Sequence, residues 1–341
     1  MRKIVVAIAA IALVFNSCKT KDSVTSTTKD DGIITFKFIQ LNDVYEIAPL
    51  SGGLYGGMAR VAHVADSIKN REPNSFLVMA GDFLSPSLLG TMRHDGKRIM
   101  GKQMIEVMNA MNFDLVTFGN HEFDLKEDEF QNRLNESNFQ WIATNAKQLT
   151  EGEATPFSIH RNGHAQPIQE TYQLLISDSD GTEVVLGFFG VTIDSNPQPY
   201  VVYENYLESV QRVYPKLKEN SDIIVGLTHL NITQDKNLAE TLPGISLLMG
   251  GHEHHNMLLD AGNAKIAKAD ANAKTIYVHT HTFYKNQNRL VIDSQLVPID
   301  EKVPSQQQVQ EIVEDWNVIL ESEIKKVVDD PYEQIYYANV P

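Results

Sequence analysis

The 341-residue chain carries 29 Lys and Arg against 44 Asp and Glu, a formal charge of -15 at pH 7. That balance repels a phosphate backbone and argues against a nucleic-acid polymer as partner, while small anions remain accessible to an acidic protein that carries bound cations. A single cysteine, Cys18, excludes an intrachain disulfide framework.

Arg2 and Lys3 precede the apolar stretch Ile4 to Phe15, too short to span a bilayer comfortably and shaped like a secretory signal core. Ser17 then precedes Cys18, an arrangement that resembles a bacterial lipoprotein signal, with the cysteine becoming a lipidated N-terminus. The alternative is an unpaired thiol near a cleavage site. Either way export is expected; the lipoprotein reading adds a lipid anchor on the periplasmic or cell-surface face of a bacterial membrane. Residues 1–18 are read as signal, and the polar Ser/Thr-rich stretch 19–32 as a flexible tether.

Folded sequence is expected over 33–300. Continuous apolar runs begin at Ile33, Phe76, Leu115, Ile223 and Ile245, each bounded by turn residues, as strands covered on both faces require. Between them, Met58, Val61, Ala62, Ala65 and Ile68 repeat at helical spacing, as do Leu207, Val210, Val213, Tyr214 and Leu217. The segment TYQLLIS, the turn DSDGT and EVVLGFFGVT predict an antiparallel hairpin, and the runs from Thr275 and Asn286 a further strand pair. Mixed strands with flanking helices predict an α/β fold of two packed mixed β-sheets covered by helices, in the order α/β/β/α. No Gly-rich dinucleotide motif follows a strand. His279 and His281, in HTHTF, read as strand filler that could touch a site rim.

Residues 301–341 read as a linker-type helix and tail without a second domain. The stripe Val309, Ile312, Val313, Trp316, Leu320, Ile324 and Val327 predicts a helix over 306–328 that must dock on something. With Tyr332, Tyr336 and Tyr337 it could be a docking surface for a partner chain; it could equally pack back on its own domain.

The polar residues at the five strand ends carry the chemistry. Strand one runs into Asp43, strand two into Asp82, strand three into Asn120, His121 and Asp124, the fourth into His229, and the fifth into His252 and His254 of GGHEHH. Sites in open α/β sheets form at the carboxyl ends of strands. Taken singly, each residue has an ordinary reading. Asp82 could cap a helix, Asn120 could sit in a turn, and His229 could be a core histidine. His252 and His254, two apart, would share one side of a continued strand or a solvated edge. Their coincidence at all five ends argues for one site. The donors exceed the four of a closed zinc site and suit two divalent ions about 3.5 to 4 Å apart, of zinc, manganese or iron.

In order, LNDVYE, GDFLSPS, GNHEFD, THLN and GGHEHH resemble the five blocks of the calcineurin-like metallophosphoesterase superfamily, most closely the N-terminal catalytic domain of the 5'-nucleotidases. The likeness runs from about Ile34 to Pro298. It implies that Asp82 bridges two metals, with Asp43 and His254 serving the first ion and Asn120, His229 and His252 the second. His121, oriented by Asp124, would face the leaving oxygen, and His255 would be a bystander. The implied activity is phosphomonoester hydrolysis on small molecules, nucleoside 5'-monophosphates foremost. The alternatives are a phosphodiesterase or nucleotide-sugar pyrophosphatase using the same metals, and a ligand-binding lipoprotein that has lost catalysis.

Two departures stand out. The family's first block carries a histidine where this chain has Tyr45, and three outcomes stand open: the phenol coordinates if metal lowers its proton affinity, a water fills the gap, or the first site is weak. The expected outcome is an active enzyme with a weakened first site. The second departure is the base-gripping C-terminal domain of the 5'-nucleotidases, which would lie on a separate chain, have been removed, or be dispensable for this substrate.

Overall fold

The computed structural model describes residues 30–328, so Cys18, the signal and tether up to residue 29, and Tyr332, Tyr336 and Tyr337 lie outside the described residues. Strands β1 (Ile33–Leu41), β2 (Ser75–Ala80), β3 (Leu115–Thr117) and β4 (Gln140–Ile142) are followed by the hairpin β5 (Thr171–Ser177) and β6 (Glu183–Thr192). Then come β7 (Ile223–His229), β8 (Ile245–Gly250), β9 (Met257–Ala261), β10 (Ala264–Lys268), β11 (Thr275–Tyr284) and β12 (Arg289–Pro298). They form two six-stranded sheets, ordered β12-β11-β1-β2-β3-β4 and β5-β6-β7-β8-β10-β9. In the first sheet β1 to β4 run parallel and β11 and β12 are antiparallel additions; in the second β6, β7, β8 and β10 run parallel.

The sheets pack face to face. Ile34, Phe36 and Phe38 of β1, with Val78 and Leu115, meet Leu186, Phe188, Val225, Leu227, Leu247 and Met249 of the second sheet. The alternate side chains Ile39 and Leu41 face the outer layer of helices, as period-two strands require. That layer contains α1 (Met58–Lys69), α2 (Lys102–Ala110) and α3 (Glu127–Glu136); α4 (Tyr206–Asn220) and α5 (Ile232–Thr241) cover the second sheet through Val210, Leu217 and Leu238. The expected α/β/β/α order is the observed one.

The final helix, α6 (Gln307–Ile324), is shorter than the 306–328 read from the sequence. It lies on α1 and α2. Val309, Val313 and Trp316 are buried there, and the Trp316 indole N–H donates to Glu106 at 2.8 Å, so this part of the stripe packs on its own domain. Val327 falls past the helix end and is 85% exposed, because the stripe outruns the layer it packs on.

His279 and His281 are fully buried between the sheets. Gln40 Oε1 accepts a hydrogen bond from His279 Nε2 at 2.8 Å, and Gln40 Nε2 donates to the carbonyls of Gly250 and Ala267 across the interface. His281 stacks on Phe36 at 4.8 Å between ring centroids, and neither of its ring nitrogens has a hydrogen-bond partner among the described residues. Burial pushes its proton affinity down, to a pKa of about 3. The folded protein therefore holds it neutral while the unfolded chain protonates near pH 6.5. Its contribution is intact above that pH and is lost as pH falls toward 3, at up to about 1.4 kcal/mol per pH unit. His281→Phe is expected to flatten this acid limb: urea unfolding at pH 7 and pH 5 should show the variant gaining on the native protein by about 1 to 2 kcal/mol over that interval.

Candidate metal centre

Four of the expected ligands lie where the backbone turns sharply after a strand. Asp43, Asp82, His252 and His254 have φ values of 51, 58, 86 and 58 degrees. This left-handed region costs non-glycine residues about 1 to 3 kcal/mol where the surrounding structure must enforce it, and such strain clusters at functional sites. The extended continuation expected for His252 and His254 is therefore absent. The loop instead folds under the neighbouring strands, and it can do so because residue 251 is glycine: a Cβ there would stand 2.6 Å from the Ala80 carbonyl oxygen. Gly119 is likewise obligatory, because Asp82 Oδ1 overlaps the place its Cβ would take.

The two carboxylates are almost wholly shielded from water, Asp43 at 0% and Asp82 at 1% exposure. Asp43 Oδ2 accepts from Asn42 Nδ2 at 2.8 Å and from the His252 backbone N–H at 2.9 Å. Asp82 Oδ1 accepts the His121 backbone N–H at 2.8 Å. Asp43, Asp82 and His254 offer ligand atoms all within 4.8 Å of one another, a spacing that one ion could bridge.

His229 supplies the sharpest test of whether the pocket suits a cation. Its Nδ1–H donates to the Ala80 carbonyl at 2.8 Å, which leaves the Nε2 lone pair facing inward, 3.1 Å from Asp82 Oδ2 and 3.9 Å from Asp43 Oδ1. Nε2 is buried and outside hydrogen-bond geometry to any partner among the described residues; so is Asn120 Oδ1. Unpaired acceptors beside carboxylates repel unless a positive charge sits among them. Burial alone would disfavour a charged His229, yet the carboxylates of Asp82 and Asp43 outweigh it and push its pKa up to about 10, so even a proton is attracted there. The His252 ring stands edge-on to His229, 5.4 Å between centroids.

Tyr45 reaches the same two carboxylates. Its hydroxyl lies 3.3 Å from Asp43 Oδ1, 3.2 Å from Asp82 Oδ2 and 2.8 Å from His254 Nε2. Burial, reinforced by the charges of Asp82 and Asp43, holds the phenol far above its ordinary pKa, so it is a neutral group among the would-be ligands. His254 is itself half exposed.

The His121 ring has a partner of its own. Its Nδ1 donates to Asp124 Oδ2 at 2.8 Å, and Asp124 is also held by Ser85 Oγ at 2.9 Å and by Asn196 Nδ2 at 2.8 Å. His255 is exposed and bonds only the Glu253 carbonyl among the described residues.

Sequence reasoning missed the supports. Glu122, fully buried, accepts the backbone N–H groups of Asp82, Phe83, Leu84 and Gly119 at 2.8, 2.7, 3.1 and 2.5 Å, tying two ligand loops to one carboxylate. Burial and then the charge of Asp82 push its pKa up to about 7. Asn196 bridges the Asn120 carbonyl and Asp124 from a distant loop. The GNHE run already held Glu122, but only the fold shows what it accepts.

The chain is 31% identical over 215 residues to the 5'-nucleotidase of Bos taurus, covering 61% of this chain and 34% of that protein. It is 27% identical over 247 residues to the trifunctional nucleotide phosphoesterase protein YfkN of Bacillus subtilis, covering 64% and 16%. It thus spans about a third or less of the length of these relatives. Among solved structures, a 5'-nucleotidase precursor from Thermus thermophilus superposes with a TM-score of 0.71 at 20% identity, covering 86% of this chain and 60% of that one. Residues 36–256, which include all five strand ends, match the calcineurin-like phosphoesterase profile, and the chain belongs to that family.

Proposed function

We propose that the chain is a metal-dependent hydrolase of phosphomonoesters, nucleoside 5'-monophosphates foremost, acting outside the cytoplasm from a lipid on Cys18. The carrying observation is His229 Nε2, buried 3.1 Å from Asp82 Oδ2, together with Asn120 Oδ1, buried with no hydrogen-bond partner among the described residues, beside two carboxylates and next to the His121–Asp124 pair. Asp43, Asp82 and His254 would hold one divalent ion, and Asp82, Asn120, His229 and His252 a second; zinc, manganese and iron all suit these donors. When bound, such ions supply a nucleophilic water and neutralise the phosphoryl oxygens.

The protein's own part is proton delivery. Because Asp124 accepts the Nδ1–H of His121, exchange is confined to Nε2. The hydrogen bond to Asp124, with the charges of Asp82 and Asp124 adding to it against partial burial, raises the proton affinity of the ring and favours the charged form that can protonate a departing alkoxide. Ser85 and Asn196 hold Asp124 still while this happens. Nucleotide preference rests on the named relatives, a 5'-nucleotidase and a nucleotide phosphoesterase.

The test is hydrolysis of nucleoside monophosphates and an aryl phosphate with added manganese, zinc or cobalt, with diester and pyrophosphate substrates run on the same preparation. Monoester turnover that a chelator abolishes supports the proposal; faster diester cleavage would reassign the substrate class, and absence of bound metal would leave a ligand-binding protein. His121→Ala is expected to lower kcat by about 10² to 10⁴ with metal content unchanged, measured by elemental analysis. Loss of metal together with activity would make His121 a ligand.

Tyr45 predicts unequal ions. Tyr45→His should tighten the weaker ion by at least about tenfold, or about 1.4 kcal/mol. Calorimetric titration of the two proteins with manganese checks this, and equal affinities would mean the phenol already coordinates as well as an imidazole.

A further inference from the structure

One buried charged cluster has no part in the chemistry above. Lys268, the last residue of β10, is fully buried. Its Nζ lies 2.7 Å from Asp235 Oδ2 on α5, donates to the Leu230 carbonyl at 2.6 Å, and contacts Glu253 Oε2. The other Glu253 oxygen accepts the backbone N–H of Ile232, the first residue of α5. Desolvating such a cluster costs several kcal/mol per ion, and well-packed apolar side chains often serve stability as well or better. Stability alone is therefore a poor account of it.

Its position suggests another. Glu253 lies between His252 and His254. The carboxylate of Glu253 reaches Lys268 and α5, whereas the His252 ring meets His229 and His254 Nε2 meets Tyr45 and Asp43. Both flanking residues have left-handed backbone, which persists only where neighbours over-determine it. The loop is fastened by the Gly251 N–H on the Thr228 carbonyl of β7, the His252 N–H on Asp43, the His254 carbonyl accepting from Ala271 N–H, Asn256 on Asp270, and the Glu253 carboxylate. Among them the Glu253 carboxylate alone reaches the covering helix α5, through the Ile232 N–H, and the buried end of Lys268.

We propose that Glu253, fastened by Lys268 and the first turn of α5, is a positioning residue that sets His252 and His254 at the angles their two ions need. The proposal deepens the metal-dependent reading above and rests on it. Because the two histidines are expected to serve different ions, one displaced loop should weaken both at once.

The test compares Glu253→Ala, which removes both attachments, with Glu253→Gln, which keeps the shape and an acceptor for Ile232 while dropping the charge facing Lys268. Manganese titration of folded protein, well below the unfolding midpoint, is expected to show both ions weakened by about 10- to 100-fold in Glu253→Ala, and by less in Glu253→Gln. A role confined to stability would lower the unfolding midpoint and leave both affinities unchanged, and that result overturns the proposal. Hydrogen exchange in metal-free protein supplies a second readout: amides of residues 251–256 should exchange at least about tenfold faster in Glu253→Ala, with β8 still protected. If the native protein binds no ion, the metal-dependent reading fails, and the exchange result then decides the positioning role, with unaltered loop protection counting against it. Should Glu253→Ala not fold, Glu253→Gln carries both measurements.

Discussion

Asp43 and Asp82 place two carboxylates out of water at the ends of adjacent parallel strands, and the surrounding structure answers that constraint. A buried carboxylate needs donors or a cation. Asp43 has the Asn42 amide and the His252 N–H, and for Asp43 burial is outweighed by the positive charge that His229 can carry, which holds its pKa down to about 2. The remaining oxygens of both residues face His229, His254 and Tyr45, so the site turns its carboxylate oxygens inward. A divalent cation completes such an arrangement more fully than a proton can, because it satisfies several acceptors at once.

Holding those acceptors together costs backbone strain, and buried polar groups offset it. Glu122 is central here, since a single carboxylate gathers four N–H groups from the loops after β2 and β3 and so fixes Asp82 relative to Asn120 and His121. Gln40 does related work between the sheets, where its amide binds the Gly250 carbonyl just before the histidine loop. The core is thus not uniformly apolar near the site. Polar ties run from the interlayer to the strand ends, and satisfied networks of this kind rigidify a unique arrangement.

Much of this was legible in the residues themselves. An apolar run that ends in Asp, Asn or His is a local signal, and all five such runs became strands of the two sheets. The hairpin of β5 and β6 announced itself through DSDGT, which likewise needs only neighbours in sequence. What stayed hidden depended on distant chain segments. His252 and His254 are two apart, which suggested an extended edge, but contact with Asp43 and the Ala80 carbonyl turns that loop into left-handed backbone. Asn196 lies 72 residues from Asp124 and has no local pattern to mark it. His281 offered only a ring on a strand; that it faces the interlayer, stacked on Phe36, follows from sheet packing. Trp316 was readable as part of an apolar stripe, while the identity of its partner, Glu106 on α2, was not.

The two halves of the pocket are built to different standards, and that asymmetry has chemical weight. His229 is fully buried with its tautomer fixed by a backbone carbonyl, and Asn120 is nearly so, with its amide oxygen already stripped of partners. An ion entering there meets donors that need little reorganisation and gains from weak screening. On the other side His254 is half exposed, and the Tyr45 hydroxyl already satisfies some of the same oxygen and nitrogen atoms that an ion would claim. Binding an ion there must displace or recruit a neutral phenol that burial and nearby carboxylates keep protonated. The asymmetry between the two sides thus lies in preorganisation and competition within the protein, before any property of a metal is considered.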